Sequence, residues 1–429
     1  MNKTNFNLNL QHFAAGDVLN TTGGLMENGS ITDSGSLSAE MKTFYDKTLI
    51  TLASANLVHE QFGQKRPIPA NNGKTIQFRK FSRLPKALKA ITEGITPAGN
   101  KLSVTGVTCT VDQYGDYIEQ TDMLELTAVD NTIVEATKEL AGQAGLTLDT
   151  VVRNEIIGGT NVCYAPSVEG DSVTEVVSRA DINENCKLRV KDVFRAAAEL
   201  KAMNAPKIGS HYVAIIHPYV AYDLMQDAGE QWIGIQKYAD PQTILRGEVG
   251  TLAGVRFVES TEAKIYGPAE ITDGFSRLHT KSAVTSSTNK LTVTEVLTAC
   301  TFEEPVAVYI NGAANTIQSV AVNGGESVLT LGTAVSNLPA DSVVCGIGGG
   351  KDGSAVFCTL FLGENAYGVT DIEGGGLEHI VKQRGYGNDP LNQRSSVGWK
   401  ATKVAKRLIE EYLLRYESGS EFSATAESN

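Results

Sequence analysis

From Asp130 to Ile157 the chain carries one unbroken amphipathic helical pattern, and this element restricts the available folds more than any other. Ile133, Thr137, Leu140, Ala141, Ala144, Leu148, Val151 and Val152 recur on a single face. At 1.5 Å per residue such a helix runs about 40 Å, and Gly158-Gly159 supplies its stop. A rod of that length acts as a spine along which other elements are laid. Ile133, Leu140, Leu148, Val151 and Val152 are its expected packing residues.

The segment before it is unusual in charge. The chain of 429 residues is formally −12, yet residues 65–92 hold eight cations and no acid. They are Lys65, Arg66, Lys74, Arg79, Lys80, Arg83, Lys86 and Lys89. Thr75–Arg79 alternates like a half-exposed strand, Asn72-Gly73 marks a turn, and Leu102 to Ile118 reads as a long return strand. Two extended limbs around a Gly/Pro tip imply a long hairpin-like loop with little core of its own, which must rest on something else. Its positive charge suits an acidic neighbour, either nucleic acid or acidic patches on copies of the same chain.

Upstream, residues 1–37 are rich in Asn, Gly, Ser and Thr and read as an extended arm. Phe6, Leu8 and Leu10 alternate within it. A helix is expected over 38–62, capped by Ser38 and stopped by Gly63. Downstream of the spine, a shorter helix fits Lys191–Met203 and buried strands fit Tyr212–Ile216 and Gly254–Val258. Pro218 opens a further helix.

Near Gly267 the composition changes. Between Ala283 and Ile347 the residues are mostly Thr, Val, Ser, Ala and Gly. Short strands fit Leu291–Val296, Val306–Ile310, Ile317–Val322, Ser327–Leu331 and Val343–Ile347, with a tight turn at Gly324-Gly325. This spacing suggests a small β-sandwich inserted at 268–353.

Chemistry is harder to find. Gly346-Ile-Gly-Gly-Gly350-Lys351 has Cys345 and Asp352 where a phosphate-binding loop needs Gly and Ser or Thr. His59-Glu60 lacks the second histidine of a zinc-protease helix, and there is no G-x-S-x-G elbow. His211 and His217 read as structural, and acidic pairs such as Glu303-Glu304 as solvated faces. The six cysteines are scattered and fit buried small hydrophobes in a reducing cell. No catalytic residue, cofactor or metal site emerges, so an enzyme is not expected. No run approaches the roughly 18–20 apolar residues of a spanning helix, and Met1–Asn20 lacks the apolar core of a secretory leader.

The C-terminal part is more distinctive. Thr359-Leu-Phe-Leu-Gly-Glu-Asn-Ala-Tyr-Gly368 precedes Lys382-Gln-Arg-Gly385, Asp389-Pro-Leu-Asn-Gln-Arg394 and Gly398-Trp-Lys400. His217-Pro-Tyr, the run Gly247–Ser260 and the opening Asn7-Leu-Asn-Leu-Gln-His-Phe-Ala14 keep them company. In number and order these resemble the major capsid proteins of tailed bacteriophages, of the phage N4 major-coat type, over most of the chain outside the insert.

That resemblance implies an α+β chain with the Hong Kong 97-type capsid fold. It would have an N-terminal arm (1–37), a helix (38–62) leading into an extended loop (63–121), and a peripheral domain (122–204) with the spine helix. An axial domain (205–267 and 354–378) would be interrupted by an immunoglobulin-like β-sandwich, placed on the exterior. Residues 379–429, with Trp399 and a helix Ala401–Tyr416, would return to the peripheral domain. The implied role is self-assembly into hexamers and pentamers of an icosahedral shell around double-stranded DNA, made in the host bacterial cytoplasm. A portal protein would stand at one vertex, and the resemblance admits separate scaffolding and decoration proteins. In the loop, Arg79, Lys80, Arg83, Lys86 and Lys89 would face a neighbouring subunit. An encapsulin-like compartment shell and an adhesin acting through the insert are the alternatives.

Overall fold

A computed structural model describes residues 25–27, 30–33, 58–81, 84, 86–88, 90, 93–94, 99–127, 132–236, 248–375, 377–382, 391 and 393–429. The rest of the N-terminal arm, residues 38–57 of the expected first helix, Arg83, Lys89, and the motif residues 383–390 lie outside the described residues, as does the side chain of Ile133. The described end of the expected first helix, Val58–Phe62, is turn.

Residues 1–54 make one unit, in which β1 (Leu25–Glu27) pairs antiparallel with β2 (Ser30–Asp33). All later elements belong to the second unit, residues 55–429. It opens with β3 (Gln64–Lys65), β4 (Thr75–Phe81), β5 (Val104–Thr110), β6 (Asp112–Thr121) and the short helix α1 (Asp122–Thr127). The spine helix α2 (Thr132–Ile157) follows; Asp130 and Asn131 of the sequence pattern lie outside the described residues. Next come β7 (Val162–Tyr164), the hairpin β8 (Ser167–Glu169) and β9 (Ser172–Thr174), and α3 (Val190–Ala202). Then β10 (Tyr212–Ile216), α4 (Pro218–Gln236), β11 (Glu248–Leu252), β12 (Val255–Glu259) and β13 (Ile265–Tyr266) complete this stretch.

The insert contributes β14 (Arg277–His279), β15 (Thr288–Val293), β16 (Cys300–Ile310), β17 (Ala313–Asn323), β18 (Glu326–Val335) and β19 (Val343–Gly346). Finally come β20 (Val356–Leu362), β21 (Tyr367–Thr370), β22 (Glu378–Lys382), β23 (Arg394–Arg407) and β24 (Leu413–Ser418).

The central sheet runs β11-β12-β10-β20-β24-β7, with β13 also on β20. Its middle strands β10 and β20 are apolar but for Thr359, as both faces are covered. Every residue of β20 is buried. Phe357 and Phe361 join the core under α3 and α4, whereas Cys358, Leu360 and Leu362 join the core under the end of α2. β10 divides likewise, Ala214 and Ile216 to one side and Ile215 to the other. On β24 of this sheet the Arg179 guanidinium donates to both oxygens of buried Glu417, at 2.7 and 2.6 Å.

The second sheet is β22-β23-β21-β3, with β6 paired to the other edge of β23. Here the structure corrects an expectation: Ala401–Tyr416 is not a helix. Val397, Trp399, Ala401, Lys403 and Ala405 alternate as the buried face of β23, and Leu413–Ser418 forms β24 in the central sheet. Ten residues of β23 pair with β6, from Arg394 opposite Thr121 to Lys403 opposite Asp112. Those ladder bonds and the burial of Trp399 outweigh the local helix propensity of Ala, Lys, Glu and Leu. The spine lies on this face through Leu140 and Ala144, packed with Val397, Trp399 and Ala401. Gln143 ties the layers together: its Oε1 accepts from Trp399 Nε1 at 3.2 Å and its Nε2 donates to Asp116 Oδ2 at 2.7 Å.

The insert leaves the central sheet after β13 and returns at β20, which pair with Tyr266 opposite Val356. It is one antiparallel ladder, β14-β19-β16-β17-β18-β15, in place of the two stacked sheets of a sandwich. The ladder closes on itself. Thr280 bridges Val293, with Thr294 N–H donating to His279 O at 2.9 Å and Lys281 N–H to Thr292 O at 3.0 Å. The interior is filled by side chains such as Leu278, Leu291, Ile310, Ile317, Leu329 and Val344. Bulges in β15, β16 and β17 provide the bends that closure requires. Gly324-Gly325, with φ of +62° and +87°, makes the expected tight turn.

Candidate assembly surface

The extended loop is a two-stranded arm with a fixed root and an uncovered outer part. β4 and β5 pair along their full length, Thr75 opposite Thr110 and Phe81 opposite Val104. At the root Val111 N–H donates to Lys74 O at 2.8 Å. Phe78, Cys109 and Val111 are buried there. Gly368 of β21 is what admits the Phe78 ring, since a Cβ at that position would stand 2.7 Å from its Cζ.

The incoming chain is held as firmly. Tyr367 Oη donates to His59 O at 2.5 Å, and His59 in turn meets Asp149 of the spine. β3 pairs parallel with β21, Ile68 N–H donates to Asp371 O, and Glu373 N–H to Ile68 O, both at 2.8 Å. Glu60 receives Lys403 and, at 3.4 Å, Lys65. Burial alone would raise the Glu60 carboxyl, but Lys403 and then Lys65 outweigh it and hold it below the ordinary range.

Beyond Phe81 and Val104 the described apolar side chains are uncovered. Leu88 is 85% exposed, and Phe81, Leu84, Leu102 and Val104 are each about half exposed or more. Large apolar side chains at this density on a projecting arm mark a surface that another molecule covers. Interleaved with them are the expected cations. Arg79 and Lys86 are exposed and Lys80 is half-buried. Among the described residues none of these three has an ion-pair partner. A cleft of about 930 Å³ opens at the arm root, where Phe78, Arg79, Lys80 and Phe81 face Leu408 and Tyr412.

Of the spine positions, Leu140 and Val152 are buried, and Leu148 and Val151 are half-buried. Leu140 and Val152 serve different cores, one under β23 and one under the central sheet. The uncovered apolar residues of the arm were not singled out from the sequence. Their signal was present, because Phe81, Leu84, Leu88, Leu102 and Val104 fall in a segment whose charge predicts solvent.

Among the described residues no group of three or more His, Cys, Asp or Glu comes together as a metal site. The six cysteines are free thiols, and burial pushes Cys163 and Cys358 up to about 12. Among the described residues no helix is long and apolar enough to cross a membrane.

No family model and no curated protein matches the sequence. Solved structures do match. The chain is similar to the capsid protein of the cyanophage P-SCSP1u, at 13% identity over 95% of this chain and 100% of that one, with a TM-score of 0.51. It is similar also to the capsid protein of Ralstonia phage GP4, at 10% identity over 91% of this chain and 98% of that one, with a TM-score of 0.50. At these identities the likeness is one of fold: this chain folds as those phage capsid subunits do, essentially from end to end.

Proposed function

We propose that this chain is a major capsid protein of a tailed bacteriophage, self-assembling into the hexamers and pentamers of an icosahedral shell around double-stranded DNA. The observation that carries the reading is the arm. Its root is locked into the subunit while its outer part presents apolar and basic side chains that the subunit leaves uncovered. The end-to-end likeness in fold to two phage capsid proteins points the same way. The role is structural, without catalysis.

In this reading the chain has the Hong Kong 97-type fold and the N4 major-coat affinity that its motifs suggest. Residues 63–121 are the extended loop, and 122–161 with 367–412 form the peripheral domain around α2 and the second sheet. Residues 162–267, 354–366 and 413–429 form the axial domain on the central sheet, because β7 and β24 are strands of that sheet and α3 packs on it. The barrel at 268–353 stands on the shell exterior in place of an immunoglobulin-like domain. The portal protein, a separate scaffolding protein and decoration proteins are its partners, and assembly takes place in the host cytoplasm. A single wet ion pair contributes roughly 0–1 kcal/mol, so affinity comes from apolar burial repeated in every subunit, with charge setting the register.

Negative-stain electron microscopy of the purified recombinant chain, with size-exclusion chromatography, tests this. Closed shells, tubes or five- and six-membered rings are expected, alone or on co-expression with neighbouring genes. A monomer under all of these conditions overturns it.

A further inference from the structure

Two segments join the barrel to the central sheet, residues 267–276 on the way in and 347–355 on the way out. The outgoing one follows Gly346 and holds Gly348, Gly349, Gly350 and Gly353. A glycine-rich run at such a junction is ordinarily a flexible tether. Here it is packed tightly, with Gly346, Gly349, Gly350 and Gly353 all buried. A Cβ on Gly346 would run into Ala269 O, and one on Gly350 into Ile182 O and, at 2.5 Å, Ser354 Oγ. Glycine stands at these two positions because backbone must approach backbone. The N–H groups of the run are paired as well. Gly346 donates to Ser276 O at 3.0 Å, and Gly350 to Ser354 O and Lys351 to Ile182 O, both at 2.7 Å.

One loop beside the central sheet, Arg179–Cys186, reaches both segments. On the outgoing side Ile182 O accepts from the Lys351 N–H and, at 2.8 Å, from Ser354 Oγ. On the incoming side the Arg179 guanidinium lies 3.5 Å from the centre of the Tyr266 ring, and Tyr266 ends β13 where the chain leaves for the barrel. The loop is itself fixed. Ile182 and Cys186 are buried in the core under α3 and α4, and Gly419 N–H donates to Cys186 O at 2.8 Å. Arg179 is forked onto both oxygens of buried Glu417. A guanidinium gripped by a carboxylate and an aromatic face is held in direction as well as in place, which an ammonium would not be.

We propose that the Arg179–Cys186 loop is a clamp that holds the barrel in one orientation on the subunit, with Arg179 as its key. The barrel is then a fixed outer part of the shell and not a tethered head. Its outer placement rests on the shell-subunit reading above, whereas the clamp is a property of the single chain. A barrel held in one orientation repeats identically in every copy, so a symmetric shell can use it in contacts of defined register. A swinging head offers no such register.

Hydrogen exchange of the full chain, read by mass spectrometry on peptides covering 346–355, tests it. Arg179→Met keeps the stem and removes the fork, and it leaves Glu417 with Arg415 at 2.9 Å. Gly350→Ala touches no charge. Each variant is expected to speed exchange of 346–355 about tenfold or more. Exchange in β16, β17 and β18 of the barrel, and in β10 and β20 of the central sheet, should stay as in wild type. Wild-type amides at 346–355 that exchange as fast as an unstructured peptide overturn the clamp, and so do variants that leave them as slow as wild type. Faster exchange spreading through β16–β18 overturns it too, because the loop would then support the fold of the barrel and not its orientation. Thermal melting reports the fold of the subunit, and if Arg179→Met unfolds it, Gly350→Ala decides alone. Electron cryomicroscopy of the particles reads orientation directly. Barrel density as strong as that of the central sheet is expected in wild type and smeared density in either variant; smeared density already in wild type overturns the proposal. Failure of the unmodified chain to form any particle would remove the shell reading and leave the hydrogen-exchange result standing.

Discussion

His59 and Asp149, ninety residues apart, meet twice inside the protein: the His59 backbone N–H donates to Asp149 Oδ1 at 2.9 Å, and His59 Nδ1 lies 2.6 Å from Oδ2. Both side chains are shut off from solvent. The pair fastens the entry to the arm onto the spine helix, so the direction of the arm is set by the longest rigid element in the subunit. Asp149→Ala strips a buried backbone N–H and a buried imidazole of their acceptor at once. The expected loss is about 3 kcal/mol, read as a lower urea midpoint of the subunit. Asp149→Asn, which keeps one acceptor, should lose less. Equal midpoints for Asp149→Ala and wild type would show that the pair does not hold the arm root.

The barrel is expected to be dispensable for folding of the rest. Its interior is a separate core, and its two connections already touch, with Ala269 N–H donating to Ile347 O at 2.8 Å. Replacing 270–346 by Asn-Gly joins them with a two-residue turn and keeps β13 on β20. What is sacrificed is the Arg277 guanidinium's two hydrogen bonds to Gly353 O and the packing of β19 on Lys351–Gly353, at a cost of about 1–2 kcal/mol. The shortened subunit should melt within a few degrees of the full chain and still assemble. Insolubility on deletion would mean that the barrel supports the central sheet.

Acid should weaken the subunit through His217. Burial lowers this imidazole from its ordinary 6.5 to about 4. Its Nδ1 also accepts the Tyr219 N–H, at 3.2 Å, in the first turn of α4. A proton there would remove the acceptor and put positive charge at the positive end of the helix. The unfolded chain takes up the proton near pH 6.5 and the folded one only near 4, so unfolding is favoured as pH falls through that window. Above 6.5 the group is neutral in both states and contributes no slope. The full loss is about 3 kcal/mol, seen in urea midpoints between pH 7 and 4. His217→Asn retains an acceptor without titrating, and it should flatten this limb of the profile.

How much of this was legible beforehand follows from the range of the interactions. The spine is written in local periodicity and is legible to within a few residues, as is the arm up to Phe81. In the insert β14 has no expected counterpart, and β16 begins six residues before the strand expected at Val306. β23 is not legible, because Ala401–Arg407 is locally a good helix and becomes a strand through its partners, β6 nearly three hundred residues away up to Lys403 and β21 from Val404 to Arg407. The closed barrel reads as a sandwich in sequence for a different reason. The bridge of Thr280 to Val293 and its flanking bonds have no sequence signature, and they decide between two sheets and one. At the arm the cations were noticed because charge segregation shows in composition. The bare leucines became meaningful only when the fold left them without cover.

Those leucines give a sharp division between folding and assembly. Leu84 and Leu88 sit beyond the last paired residues of β4 and β5 and bury little in the subunit. Leu84→Ser/Leu88→Ser should therefore leave the unfolding midpoint within about 0.5 kcal/mol of wild type. A side chain that goes from exposed to fully buried at a subunit contact contributes roughly 1.5–3 kcal/mol. Losing two of them from every copy should raise the concentration at which particles appear by about a hundredfold or more. Light scattering against protein concentration measures this directly. A normal assembly threshold together with a lowered melting temperature would reverse the assignment and make the arm part of the subunit's own stability.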